Sequence, residues 1–381
     1  MRILFKSLIL IACLLNTGCN NHESGATNKT SGTSVDSFPV PIIEFTPKQY
    51  VCYKTDETIK IDGRLNEVSW SKTNWTGPFV DIEGDSKPMP RFMTRAKMLW
   101  DDDYFYFAAY LEEPDIWAKL TGRDAVIFYD NDFEVFIDPD GDTHEYYELE
   151  VNAFSTEWDL FLVKPYRDGG PAIHSWDIQG LKTAVHIDGT INSPGDIDKG
   201  WSVEIAMPWT VLRECAHKNA PPSDGDQWRV NFSRVEWQTE ILNGDYAKIT
   251  DPNTGESLPE DNWVWSPQGL INMHYPEMWG YVQFSDKAVG GRDTQFKLRS
   301  EEQAKWAMRM LYYAQRNYHN EHGKSARSYC ELNIDIDSVD GYNWPPEIMV
   351  TSSLFEANLK GLNNQADLYI SQDGHTWTSD K

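Results

Sequence analysis

A chain of 381 residues has room for about two domains of ordinary size. Its formal net charge of -25 and isoelectric point of about 4.7 exclude nucleic acid and anionic membrane surfaces as partners, and fit a soluble extracytoplasmic or calcium-binding protein. Its 16 tryptophans, most of them between Trp70 and Trp279, exceed ordinary core needs and suggest stacking surfaces.

The N-terminus reads as a targeting segment. Arg2 and Lys6 precede an apolar run, Leu8 to Leu15, that is too short to span a bilayer. Asn16-Thr17-Gly18-Cys19 resembles a bacterial lipobox, which implies a signal peptide over 1–18 and a lipidated Cys19. Asn16, in place of an aliphatic residue, keeps ordinary signal cleavage open, so the expected location is a lipid-anchored outer membrane or cell surface, or else the periplasm or medium. The lipid is the only membrane contact expected. Residues 19–44 are mostly polar and read as a flexible tether. Of the five cysteines, Cys52, Cys215 and Cys330 have no metal-site spacing and are expected to be separate buried or half-buried thiols.

Strand signals begin near Phe45. Thr58 to Asp62 alternates and turns at Gly63, and Leu65 to Trp70 fits one helical turn with Trp70 as a core plug. Met98 to Leu111 reads as a hairpin around Asp101-Asp102-Asp103. Short runs at Trp158–Val163, Lys182–Ile187, Trp201–Met207 and Trp228–Val235 are each bounded by turn residues. This spacing predicts a mainly β chain, an antiparallel β-sandwich over 45–286. A linker over 287–299 and a small α+β region over 300–381 follow. That region opens on a Ser300/Gln303 capping box and a helical stripe from Ala304 to Tyr318.

The central stretch, Asn131 to Asn152, carries the functional signal. Phe133, Val135 and Ile137 share a core face with Tyr147, Leu149 and Val151. The opposite face carries Glu134, Phe136, Tyr146, Glu148, Glu150 and Asn152. Carboxylates among flat rings suit a sugar, whose hydroxyls need acceptors and whose C–H faces stack on aromatics; a solvated outer face has the same pattern. Asp138, Asp140 and Asp142 alternate around Gly141, either as the start of a structural calcium loop or as a plain acidic turn. The Trp263–Trp279 stretch, with Trp265, Asn272 and His274, is a shaped loop placed to close a site or to plug the sandwich.

Four motifs in order resemble family 9 carbohydrate-binding modules. Ile61-Asp62-Gly63 with Glu67 and Trp70 is similar to the family's IDGxxxExxW opening, and Leu99-Trp100-Asp101 with Tyr104-Phe105-Tyr106 to its LWDxxYLY hairpin. Asn131–Asp138 resembles DxVEIFID, and Gly200–Ala206 resembles GYxVEAAI. Trp265 to Gly280 resembles the closing loop of Bacteroidetes relatives. The resemblance covers about 45–284 and implies a DOMON-like β-sandwich, a carbohydrate ligand and structural calcium. Glu134 falls on the family's binding Glu, Phe128 or Tyr129 near one stacking Trp, Glu150 on its Arg, and Met273 near the second Trp, with Trp265 and His274 as neighbouring rings. The resemblance implies binding of neutral xylo- or gluco-configured plant-wall saccharides in support of polysaccharide breakdown. Asn231 or Asn272 is expected to contact ring substituents. Two alternatives remain open: a glycoside hydrolase using a carboxylate pair, which the sequence does not single out, and a haem module ligated through Met207 or Met273-His274. Oligomeric state leaves no mark on the sequence.

Overall fold

Strands whose apolar residues fall on alternate positions must bury one face, and two such sheets bury each other. The computed structural model describes residues 37–379. The signal segment, Cys19 and the tether up to residue 36 lie outside the described residues. The strands in chain order are β1 (Gln49–Lys54), β2 (Val80–Asp81), β3 (Thr94–Trp100), β4 (Tyr104–Glu112), β5 (Asp132–Asp138) and β6 (Tyr146–Asn152). Next come β7 (Glu157–Leu162), β8 (Ala172–Ile173), β9 (Lys182–Asp188), β10 (Gly200–Pro208), β11 (Gln227–Glu236), β12 (Thr239–Leu242) and β13 (Asp245–Lys248). The sandwich ends with β14 (Asp261–Val264) and β15 (Gly280–Ala288).

Apart from the β12–β13 hairpin, these strands form one continuous path, β8-β7-β6-β5-β11-β15-β1-β3-β4-β10-β9, with β14 and β2 branching from β11. The path folds over on itself, so that β3, β4 and β10 face β5, β6 and β11 across one core. Met98, Phe107 and Val203 on one side meet Val135, Leu149 and Phe232 on the other. The mainly β sandwich is as the alternation predicts. It is mixed rather than wholly antiparallel, because β1 runs parallel to both β15 and β3. Cys52 and Cys215 are separate buried thiols, whereas Cys330 is exposed.

Thr58–Asp62, expected as a strand, is an irregular arm, and the short helix Val68–Lys72 (α1) follows it. The arm lies on the outer face of β4 and β10 with Ile59 and Trp70 in an apolar patch. Glu204 holds it there. Its buried carboxylate accepts the N–H groups of Asp62 (2.8 Å) and Gly63 (2.7 Å) and the Trp70 indole (2.8 Å). Gly63 sits at φ +79°, where an added Cβ would meet the His186 nitrogen at 2.5 Å. Glu204→Ala is therefore expected to cost about 2–4 kcal/mol, since three donors lose their acceptor at once; equilibrium chemical denaturation reads the loss.

Beyond the short helix α2 (Trp209–Leu212) that follows β10, the C-terminal layer comprises the helix Glu301–His322 (α3) and a four-stranded meander of β16 (Tyr342–Val350), β17 (Phe355–Gly361), β18 (Leu368–Ser371) and β19 (Thr376–Thr378). The helical stripe buries Ala304, Ala307, Met308, Leu311, Tyr312 and Gln315, and Gly323 in the left-handed region ends the helix. The expected capping box does not form: Ser300 makes no side-chain cap, and its hydroxyl instead accepts from Gln365. The expected linker is strapped to the sandwich, with Thr294 N–H on Tyr53, Lys297 N–H on Gln283, and the Gln227 amide on the Lys297 carbonyl. The end of the expected tether is also packed. Phe38 is buried between Tyr312 and Tyr313, because the segment after Ser37 turns from polar to apolar.

Candidate functional site

Period-2 geometry places Glu134 opposite Glu150 and Phe136 opposite Glu148 on the outer face of β5 and β6. The neighbouring strands extend that face, with Ser233 of β11 beside Glu134, and Trp158 and Leu160 of β7 beside Glu150 and Glu148. The segment holding Phe128 and the loop holding His274 rise over it. Together they enclose a pocket of about 320 Å³, at the lower end of the range for small-ligand sites. Phe128 and Trp158 form one aromatic wall, with ring centroids 6.4 Å apart. Tyr166 and His274, in edge contact at 4.5 Å, form the other. A second cavity of about 300 Å³ lies between Asp140, His217, Arg299 and Trp377, where sandwich and C-terminal layer meet.

The pocket floor is acidic and buried. Burial pushes the Glu134 carboxyl up to about 7, with Glu260 adding to the rise. Burial also lifts Asp132, Glu148 and Glu150 well above the carboxylate range, reinforced by their mutual repulsion. Burial and the nearby Arg167 push His274 down to about 3, so its imidazole is neutral at ordinary pH. Its Nδ1 lies 2.9 Å from the Tyr146 hydroxyl, and Arg167 donates to its carbonyl at 2.9 Å. Neutral carboxyl groups and a neutral imidazole can both donate and accept, which suits an uncharged ligand rich in hydroxyls.

Phe128, Glu134, Glu148, Glu150, Asn272 and His274 line this one pocket. The other candidates do not. Trp265 is turned into the sandwich core, edge-on to Tyr50 and against Phe232, and fills the space left by Gly280. Asn231 is buried and bonded both ways to the Ser266 backbone, at 2.8 and 2.9 Å. Tyr146 lies fully buried behind His274, and Tyr129 is exposed beside Phe128 and Lys248. Trp158, Tyr166, Glu260 and Asn262 were not foreseen as pocket residues. The alternation of Trp158, Leu160 and Leu162 along β7 is the signal that points to Trp158.

The acidic turn is arranged differently from a three-aspartate calcium loop. Asp138 uses both oxygens to accept Gly141 and Thr143 N–H groups, closing the turn. Asp140 and Asp142 instead approach His217, and Asp142 also meets His375 at 3.0 Å. Met207 belongs to the inter-sheet core while Met273 and His274 belong to the pocket, so Met207 and His274 do not form an axial pair.

Residues 61–225 match the family model described as carbohydrate family 9 binding domain-like. A stretch of 153 residues, 40% of the chain, is 27% identical to exoglucanase XynX of Acetivibrio thermocellus, and it covers 12% of that protein's length. Among solved structures, the chain is similar to a family 9 carbohydrate-binding module from Caldicellulosiruptor kristjanssonii in complex with cellotriose. The identity is 14%, over 65% of this chain and 99% of that one, with a TM-score of 0.41. A putative carbohydrate-binding protein from Bacteroides uniformis is 16% identical over 63% of this chain and 100% of that one, with a TM-score of 0.45.

Proposed function

Because residues 61–225 match the family model described as carbohydrate family 9 binding domain-like, we propose that the Glu134 pocket binds a neutral plant-wall saccharide, gluco- or xylo-configured, from a bacterial envelope lipoprotein anchored at Cys19. The observation that carries the reading is the convergence of two aromatic walls on protonatable, buried carboxyl groups in one pocket. The pocket lining offers no Lys or Arg to pair with a uronate, and Glu134, Glu148 and Glu150 would repel it once ionised, which opposes uronic acids. The exoglucanase likeness supports a gluco-configured ligand.

Calorimetric titration of the protein lacking Met1–Cys19 with cello- and xylo-oligosaccharides tests it. Glu134→Ala and Trp158→Ala are each expected to weaken binding about ten- to a hundredfold, through the loss of the carboxyl's hydrogen bonds or of one stacking face. Absence of binding by every neutral saccharide, or binding that survives both substitutions, would sink the site. Glu134, held near about 7, is also the group a glycoside-cleaving reading would use as its acid. Sustained release of reducing sugar, lost in Glu134→Gln, would replace binding with catalysis. The anchor is tested separately: fatty-acid labelling of cells is expected to mark the protein and to fail for Cys19→Ser.

A further inference from the structure

Most buried carboxylates of this protein have an identifiable partner. Glu113 and Glu236 share Arg234, Glu302 meets Arg229 and Lys305, and Asp159 meets Arg123. Glu277 meets Arg167 and Arg309, Glu204 takes three N–H donors, and Asp138 takes two. The quartet Asp132, Glu134, Glu148 and Glu150 departs from that rule. All four are at least nine-tenths buried, and none forms an ion pair with a Lys, Arg or His among the described residues. Asp132 uses one oxygen on the Val235 N–H, and Glu150 uses one on the Phe128 N–H. The second Asp132 oxygen and one Glu148 oxygen are fully enclosed with no hydrogen-bond partner. Glu134 and Glu150 are moreover directly opposed across β5 and β6, the arrangement in which like charges cost most. A buried charge left in this state is expensive, so these groups either hold protons, as they do with no ion bound, or give them up to a bound cation.

The geometry is that of a common ion. Asp132, Glu134 and Glu150 each offer one oxygen, and the three oxygens lie within 4.8 Å of one another. Oxygen ligands held about 2.3–2.6 Å from calcium stand at most about 5 Å apart across the ion. The donor set is oxygen throughout, with no thiolate and no imidazole, which selects a hard cation over zinc or copper. Three carboxylates fill only part of a shell of about six to eight oxygens, so the remaining positions are left for solvent or ligand. Glu134 and Glu150 line the pocket, so those positions open toward its interior.

We infer that Asp132, Glu134 and Glu150 form a calcium-class divalent cation site in the floor of the pocket, and that the ion's open positions take two adjacent hydroxyls of the bound ligand. The second half rests on the saccharide reading above; the first half does not. The site is separate from the Asp140–Asp142 turn.

The test uses the mature chain stripped with EDTA and titrated with calcium by calorimetry. Terbium luminescence sensitised by Trp158 serves as a second readout. Asp132→Asn and Glu150→Gln are expected to weaken calcium uptake about a hundredfold, because each removes one of three anionic ligands. Asp140→Asn is expected to leave it unchanged. Both pocket variants remove like charge, and their circular dichroism melts check that they remain folded. Cellotriose binding is expected to fall at least about tenfold in EDTA and to return with calcium. No calcium uptake, or uptake indifferent to Asp132→Asn and Glu150→Gln, overturns the ion site. Glucosamine binding in EDTA without calcium uptake also overturns it, by assigning the missing positive charge to the ligand. Equal cellotriose affinity with and without calcium overturns the ion's contact with the ligand. Normal calcium uptake with no saccharide bound under any condition leaves the ion site standing and sinks the saccharide reading alone.

Discussion

Replacing Glu277 with alanine is expected to destabilise the protein by about 3–5 kcal/mol, the cost of breaking a buried ion pair from one side. Both Glu277 oxygens accept from Arg167 Nη2 at 2.9 Å; the carboxylate also lies 3.7 Å from Arg309 and accepts the Tyr313 hydroxyl. It is the point at which the sandwich loop and α3 share one charge network. Without it two guanidinium groups stay in a dry site with too little anion. Burial alone would raise the Glu277 carboxyl, but Arg167 and Arg309 outweigh it and hold it down at about 2. The unfolded chain, with an ordinary glutamate near 4.5, binds this proton first. The stabilisation is therefore complete above pH 4.5 and is lost as pH falls toward 2. From a shift of this size the linkage is worth about 3 kcal/mol. Denaturation curves from pH 6 down to pH 2 should show that loss in the parent and lack it in Glu277→Gln. Parallel curves for both proteins would mean that the carboxylate is not the hub.

The reach of the sequence follows the reach of its periodicity. Within β5 and β6 every second residue shares a face, so Glu134, Glu148 and Glu150 could be assigned to one surface without a structure. Burial of that surface was not legible, because the segments that cover it come from elsewhere in the chain. Trp158 was within reach of alternation. Its place beside Glu150, however, depends on the register set by the turn from β6 to β7, where Ser155 adopts a positive φ, and a slip of one residue would reverse the face. Trp265 shows the opposite failure. A loop tryptophan beside Pro267 and Gly269 has no period to aim it, and what directs it inward is Gly280, where a Cβ would stand 2.4 Å from its ring. Asn231 does point to the outer face, as its strand predicts, but the Ser266 backbone occupies it. The docking of α3 had no local signal, because Arg167, Glu277 and Arg309 are brought together only by the fold.

Ending the chain at Leu298 is expected to have the largest effect of all. The family match covers 61–225, which includes Phe128, Glu134, Trp158 and Tyr166 but not the loop part of the opposing wall at Asn272–His274. That wall belongs to the same loop as Tyr275 and Met278, whose side chains are buried in a cluster with Met308, Leu311 and Tyr312 of α3. Truncation removes the apolar partners, worth about 1.5–3 kcal/mol for each large side chain re-exposed. It also removes Arg309 and Tyr313 from Glu277, Glu302 from Arg229, and Arg316 from Asp168. Against a total stability of about 5–15 kcal/mol, losses of this order leave little margin. The truncated protein is expected either to lose its cooperative melt or to melt more than about 10 °C below the parent. Where it still folds, cellotriose binding should weaken, because the carbonyl of His274 is held by Arg167, whose own anchor at Glu277 has lost Arg309 and Tyr313, two of its three partners. A truncated chain with the parent's melting temperature and saccharide affinity would show that the C-terminal layer contributes to neither the sandwich nor the pocket.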